Sequence, residues 1–134
     1  MKRYLLDSHT LIWSIVDDSK LSTKVLKILQ DKNNELLVSS VSFWEIAIKA
    51  GKGKLDLKNF NIHLLPDYCR KLEIKQISLK PDEAIRYASL AIFEEHKDPF
   101  DRMLICQCLK NGFTLISKDS KMKIYEKEGL DYVW

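Results

Sequence analysis

Short apolar runs alternate with stretches of helical periodicity along the whole of this 134-residue chain, and few folds accommodate that alternation. Tyr4-Leu5-Leu6 reads as a strand that stops at Asp7, after which the pattern becomes helical over Ser8–Val16. Asn33-Asn34 is a turn signal, followed by the strand candidate Glu35-Leu36-Leu37-Val38. A helix is expected to start near Ser40 or Ser42, to carry Phe43, Ile46, Ala47 and Ala50 on one face, and to end at Gly51 and Gly53. Ile62, Leu65, Cys69 and Leu72 recur at helical spacing and lead into a strand near 74–78. Pro81 suits the first turn of a helix bearing Ala84, Ile85, Ala88 and Ile92. Pro99 does the same for Met103, Leu104, Cys106, Gln107 and Leu109, closed by Gly112. Phe113-Thr114-Leu115-Ile116-Ser117 is the strongest strand signal, and a short helix at 122–126 and a strand at 132–134 complete the chain. Strands alternating with helices predict an α/β fold with a parallel sheet covered by helices on both faces.

The length fits one domain over residues 1–134, and no repeat, low-complexity tract or linker divides it. The hydrophobic content of 46% is that of an ordinary globular protein. No apolar run approaches the roughly 20 residues that span a bilayer. Asp7 stands where a signal peptide would continue its apolar core, so we expect a cytoplasmic protein that does not engage membranes. Cys69, Cys106 and Cys108 are odd in number, and the i,i+2 spacing of the last two points them to different helix faces, which predicts buried thiols. The net charge of +3 permits a nucleic-acid partner without requiring one.

In an open parallel sheet, ligands bind beyond the carboxyl ends of the strands. Asp7 ends the first strand and Asp119 follows the Phe113–Ser117 run, while Glu45 and Asp101 lie near the starts of helices. Each acid also has an ordinary structural role open to it. Ser42-x-x-Glu45 fits a capping box, and Asp7 fits the cap of a helix over Ser8–Val16. Asp98 before Pro99 fits a cap, Asp101 complements a helix dipole, and Asp119 fits a cap or a turn with Ser120. Were the four to converge, two carboxylates about 5 Å apart would repel by roughly 3 kcal/mol at an effective dielectric near 20. Several such pairs rival the roughly 5–15 kcal/mol that holds a domain together. Either some acids protonate or a cation neutralises them. Carboxylate oxygens without convergent Cys or His favour Mg²⁺ or Mn²⁺ over Zn²⁺. His9 is two residues past Asp7 and His96 two before Asp98, neither at the i,i+4 spacing of a helical zinc site, and all three histidines, His63 included, are read as structural or solvent-facing.

Leu5-Leu6-Asp7-Ser8-His9-Thr10-Leu11-Ile12-Trp13 resembles the opening strand and helix of PIN domains, specifically the VapC-type toxins of bacterial toxin–antitoxin pairs. Ser39-Ser40-Val41-Ser42-Phe43-Trp44-Glu45-Ile46-Ala47-Ile48-Lys49, with Gly53-Lys54-Leu55 after it, resembles their second motif. His96-Lys97-Asp98-Pro99-Phe100-Asp101-Arg102-Met103-Leu104-Ile105 is similar to the third, and Thr114-Leu115-Ile116-Ser117-Lys118-Asp119 to the last. The four segments run in order across nearly the whole chain.

This resemblance implies a three-layer sandwich with a central parallel sheet of about five strands. It implies a Mg²⁺- or Mn²⁺-dependent endoribonuclease that leaves 5′-phosphate and 3′-hydroxyl ends. Asp7, Glu45, Asp101 and Asp119 become its acidic site, with Asp98 a cap or supporting group and Ser8 and Ser117 beside the acids. Ser8 and Ser117 stand where such toxins often carry Thr, which preserves the hydroxyl. Arg102, Lys118 and Lys121 adjoin the motifs and are expected to hold the RNA backbone. A cognate antitoxin and homodimerisation are further family expectations, with Trp13, Phe43, Trp44 and Phe60 placed either at such surfaces or in the core. Two rivals stand beside this reading. A haloacid-dehalogenase-like phosphatase also begins with an Asp after its first strand, but wants a second two residues on, where this chain has His9. A non-catalytic receiver-like module wants its paired acid near the first strand in another order than Asp7, Asp17 and Asp18.

Overall fold

A computed structural model describes residues 2–134. Strands β1 (Arg3–Leu6), β2 (Glu35–Ser39), β3 (Ile74–Ile77), β4 (Thr114–Ile116) and β5 (Asp131–Val133) form one sheet in the order β3-β2-β1-β4-β5. Every neighbouring pair is parallel. All strand carboxyl ends therefore lie on one edge, as the alternation of elements predicts.

The period-2 rule separates the two faces of the sheet. Tyr4, Leu6, Leu36, Val38, Ile74 and Ile116 join one buried cluster with residues of α1 (Ser8–Val16), α2 (Thr23–Gln30), α3 (Ser40–Gly51) and α4 (Leu65–Lys71). Leu5, Leu37 and Leu115 join the other, with Leu104, Ile105 and Cys108 of α6 (Pro99–Asn111) and with Met122 and Tyr125. The result is the expected three-layer sandwich. The three thiols are free and buried. Among the described residues no helix is long and apolar enough to cross a membrane.

Local chemistry sets the helix starts. Asp7 accepts from the Thr10 N–H to cap α1, and Asp98 accepts from the N–H groups of Phe100 and Asp101 to cap α6. Gly112 closes α6 in the left-handed region at φ 71°, where a Cβ would be strained. Three expectations need correction. The cap of α3 is Ser39, which accepts from Val41 N, so the Ser42–Glu45 capping box does not form and Glu45 is free for other partners. Helix α5 covers only Pro81–Ile85 and passes into a 3₁₀ turn over Arg86–Ser89, leaving Ile92 outside it and exposed. The carbonyls of Leu90 and Ala91 accept instead from the Arg102 guanidinium, and the Ala91 N–H donates to Glu128. The segment after Asp119 is 3₁₀ over Ser120–Glu128 and longer than expected.

Candidate metal centre

The chain leaves β1 towards β2 on one side, while β4 sits on the other, so a crevice opens where the carboxyl ends of β1 and β4 part. Asp7 stands at the end of β1, and its backbone N–H donates to Ile116 O of β4. Asp119 stands just past β4. Helix α3 follows β2 directly and carries Glu45 in its second turn. Helix α6 leads back into β4, so its first turn, with Asp101, lies at the same edge. These four acids line one cleft of about 240 Å³ together with Asp98, His9, Trp13, Lys49 and Lys118.

The acids differ in how they are held. Thr10 donates its N–H and its hydroxyl to Oδ1 of Asp7, at 2.8 and 2.7 Å. Glu45 is buried and receives Ser8 Oγ at 2.5 Å on one oxygen and Lys49 Nζ at 2.6 Å on the other. Asp119 accepts from the backbone N–H of Lys121, and its own N–H donates to Ser117 Oγ. Among the described residues Asp101 receives only a long contact from His96 Nε2, at 3.4 Å.

Their titration follows from this. Burial pushes the Asp101 carboxyl up to about 8, helped by the negative charges of Asp98, Asp7, Glu45 and Asp119. Burial also raises Asp7 above the ordinary carboxylate value, against the hydrogen bonds from Thr10 and Ser117. Burial works against the Lys49 charge, yet its bond and charge pairing with Glu45, and then Asp98 and Asp101, raise it overall. Burial lowers His96, opposed by Asp119 and Asp98.

The donor set fits a hard divalent cation. Five acids and two lysines line the cleft, so its charge is uncompensated. Asp101 is a half-buried carboxylate with no close donor among the described residues, and a cation would supply what Thr10 and Ser8 supply to its neighbours. Asp7, Glu45, Asp101 and Asp119 are the residues that can hold it.

The sequence-predicted residues divide into two groups. Ser8 supports Glu45, Ser117 supports Asp7 and Asp119, and Asp98 caps α6 while lining the cleft. Lys118 is at the cleft, with Nζ 5.7 Å from the Trp13 ring centre, and Lys121 is exposed beside Asp119. Arg102 is not at the cleft surface. It is 5% exposed and its guanidinium faces Tyr87, Leu90, Ala91 and Tyr125, because an α6 residue next to Asp101 points some 100° round the helix. Trp44 is exposed, whereas Trp13, Phe43 and Phe60 pack against the core.

Three contributors escaped sequence reasoning. Thr10 was visible as Asp7-x-x-Thr10, a capping interval, and Lys49 as the i,i+4 partner of Glu45. His96 is buried against Asp101 and Asp119, while His9 and His63 are exposed. Its spacing from Asp98 gave no sign of this.

Comparison with known proteins agrees with the fold. The PIN domain family matches residues 4–128. Ribonuclease VapC22 of Mycobacterium tuberculosis is 23% identical over 134 residues, with full coverage of both chains. Among solved structures, VapBC2 from Rickettsia felis, bound to a DNA fragment from its promoter, superposes with a TM-score of 0.67 at 16% identity, covering 98% of this chain and 97% of that one. DNA-bound VapBC from Salmonella typhimurium gives 0.67 at 17% identity, with 99% and 98% covered. VapBC-1 from nontypeable Haemophilus influenzae gives 0.63 at 16%, with 98% and 96% covered.

Proposed function

Because the chain belongs to the PIN-domain family, we propose that it is a Mg²⁺- or Mn²⁺-dependent endoribonuclease, the cytoplasmic toxin of a toxin–antitoxin pair. The observation that carries this reading is the convergence of Asp7, Glu45, Asp101 and Asp119 from four elements on one cleft, with Asp101 pushed up to about 8 by burial and by its acidic neighbours. The likeness to a protein named a ribonuclease supports RNA as the substrate.

The four acids would hold the cation, which when bound would supply a Lewis acid to lower the pKa of a water and to offset negative charge at the phosphate and the 3′-oxygen. Thr10 and Ser8 fix the Asp7 and Glu45 carboxylates, so that the cleft is preorganised before substrate arrives. Lys49 offsets part of the acidic charge that would otherwise repel RNA. Lys118 at the rim and the exposed Lys121 hold backbone phosphates of the RNA. In the net reaction water adds to phosphorus, the P–O3′ bond breaks, and the 3′-oxygen takes a proton, leaving 5′-phosphate and 3′-hydroxyl ends.

The likeness to three VapBC structures supports a cognate antitoxin as partner; that it covers the cleft and sets a basic side chain among the carboxylates, and that the toxin is a homodimer, are part of the proposal. End analysis of RNA fragments produced by antitoxin-free protein with Mn²⁺ tests the chemistry. Fragments that accept ligation through a 5′-phosphate are expected, and 2′,3′-cyclic phosphate ends would contradict the reading.

A further inference from the structure

Behind the acids, three buried side chains form a hydrogen-bonded series that ends on Asp101. Arg102 Nη1 donates to the Tyr125 hydroxyl at 2.9 Å and to Ala91 O at 2.9 Å, and Nε donates to the Tyr87 hydroxyl at 3.1 Å. A guanidinium has only donors, so the Tyr125 oxygen accepts that bond. The same hydroxyl lies 2.7 Å from His96 Nδ1. Arg102 cannot accept the Tyr125 proton, so the hydroxyl directs it at His96, and Nδ1 is the acceptor. A neutral imidazole whose Nδ1 accepts carries its hydrogen on Nε2. That nitrogen lies 3.4 Å from Asp101 Oδ2 and 3.8 Å from Asp119 Oδ2.

We infer that Arg102 and Tyr125 lock His96 as its Nε2–H tautomer, making it a positioning residue that donates to Asp101 and not a ligand of the cation. The consequence for the cation rests on the proposed function, whereas the tautomer does not. His96, Asp101 and Asp119 place their ligand atoms within 4.8 Å of one another, a spacing that an imidazole ligand would also show. The direction of the Tyr125 bond separates the two cases. A nitrogen that carries hydrogen has no lone pair to give, so the donor set stays all-oxygen, as Mg²⁺ and Mn²⁺ prefer. His96 instead orients the one acid that lacks another close donor. The series also gives the buried Arg102 a role beside Asp101 that needs no contact with RNA.

Long-range ¹H–¹⁵N spectra of the full chain with labelled histidine read the tautomer directly, with exposed His9 and His63 as internal references. His96 is expected to show hydrogen on Nε2 alone, both without metal and with saturating Mg²⁺. Hydrogen on Nδ1, a doubly protonated ring, or loss of the Nε2 hydrogen on adding Mg²⁺ would overturn the inference. In Tyr125→Phe, which keeps the ring against Phe93 and His96, Nδ1 loses its donor, so its ¹⁵N shift should move and Mn²⁺ affinity should fall about 10-fold. His96→Gln, with an amide that both accepts and donates, should retain most of that affinity, and His96→Leu should not. An unchanged Nδ1 shift and unchanged affinity in Tyr125→Phe would remove Tyr125 from the series. An Nε2–H tautomer in a protein that binds no Mn²⁺ would uphold the series and contradict the metal site.

Discussion

Thr10 gives both its N–H and its hydroxyl to the same oxygen of Asp7, and the hydroxyl also reaches Ile116 O at 3.2 Å. One residue thus caps α1, fixes the first acid of the cleft and ties β1 to β4. Thr10→Val keeps the shape and the N–H but removes the hydroxyl proton that the buried Asp7 carboxylate accepts, while Ile116 O keeps the Asp7 N–H. We expect a loss of about 1–3 kcal/mol in urea denaturation, together with weaker Mn²⁺ binding. A variant as stable as wild type would show that the hydroxyl bonds contribute nothing.

Metal-free protein should lose stability as pH rises towards 8. The folded pKa of Asp101, about 8, lies above its ordinary value of 3.8, so the folded state holds a proton that the unfolded state has released. That stabilisation is complete below the ordinary value and disappears as pH passes through about 8, and Asp7 is raised in the same direction. His96 is lowered from 6.5 and acts oppositely, but only below that pH. The clean window is therefore from about 6.5 to about 8. Melting temperature should fall across it, by about 4 °C for each kcal/mol at this size, and Asp101→Asn should flatten the slope and melt higher at pH 8. A flat wild-type profile would contradict the buried, crowded carboxylate.

Cation binding should reverse that slope and release protons. Mn²⁺ at about 100 times its dissociation constant should add about 2.7 kcal/mol of stability. Because binding needs Asp101 ionised, calorimetry at pH 7 in two buffers of different ionisation enthalpy should report proton release. EDTA should restore the metal-free melting curve. Equal heats in both buffers would mean that Asp101 is already ionised.

Much of the frame was legible because it follows from local rules. Short apolar runs marked β1, β2 and β4, Pro99 and Gly112 bounded α6, and parallel strands then put Asp7 and Asp119 on one edge. What was not legible depends on contacts between remote segments. The spacing Ser42-x-x-Glu45 suited a cap, yet Ser39 caps α3 and Glu45 turns to Ser8, 37 residues away in sequence. Arg102 sits next to Asp101 in the chain, which suggested an RNA contact, but helical geometry sends it to Tyr87 and Tyr125. His96 gains its place only through Tyr125, 29 residues on.

Arg102 and Lys118 should therefore behave differently when changed. Arg102→Ala leaves two tyrosine hydroxyls and two carbonyls without their donor in a buried site, and should cost about 2–4 kcal/mol in stability. Lys118→Ala, at an exposed position, should melt within a few tenths of a kcal/mol of wild type and lower the salt dependence of RNA binding by about one phosphate contact. Filter binding across a salt series and denaturant titration separate the two. A stable Arg102→Ala with impaired RNA binding would return Arg102 to the cleft.

The most direct test is cleavage of a panel of structured RNAs, tRNAs included, by antitoxin-free protein with Mg²⁺ or Mn²⁺, beside the double variant Asp7→Asn, Asp101→Asn. The account predicts cutting that needs the cation, stops with EDTA and is lost in the folded double variant. Cutting that persists in the double variant, or that proceeds unchanged in EDTA, would contradict it.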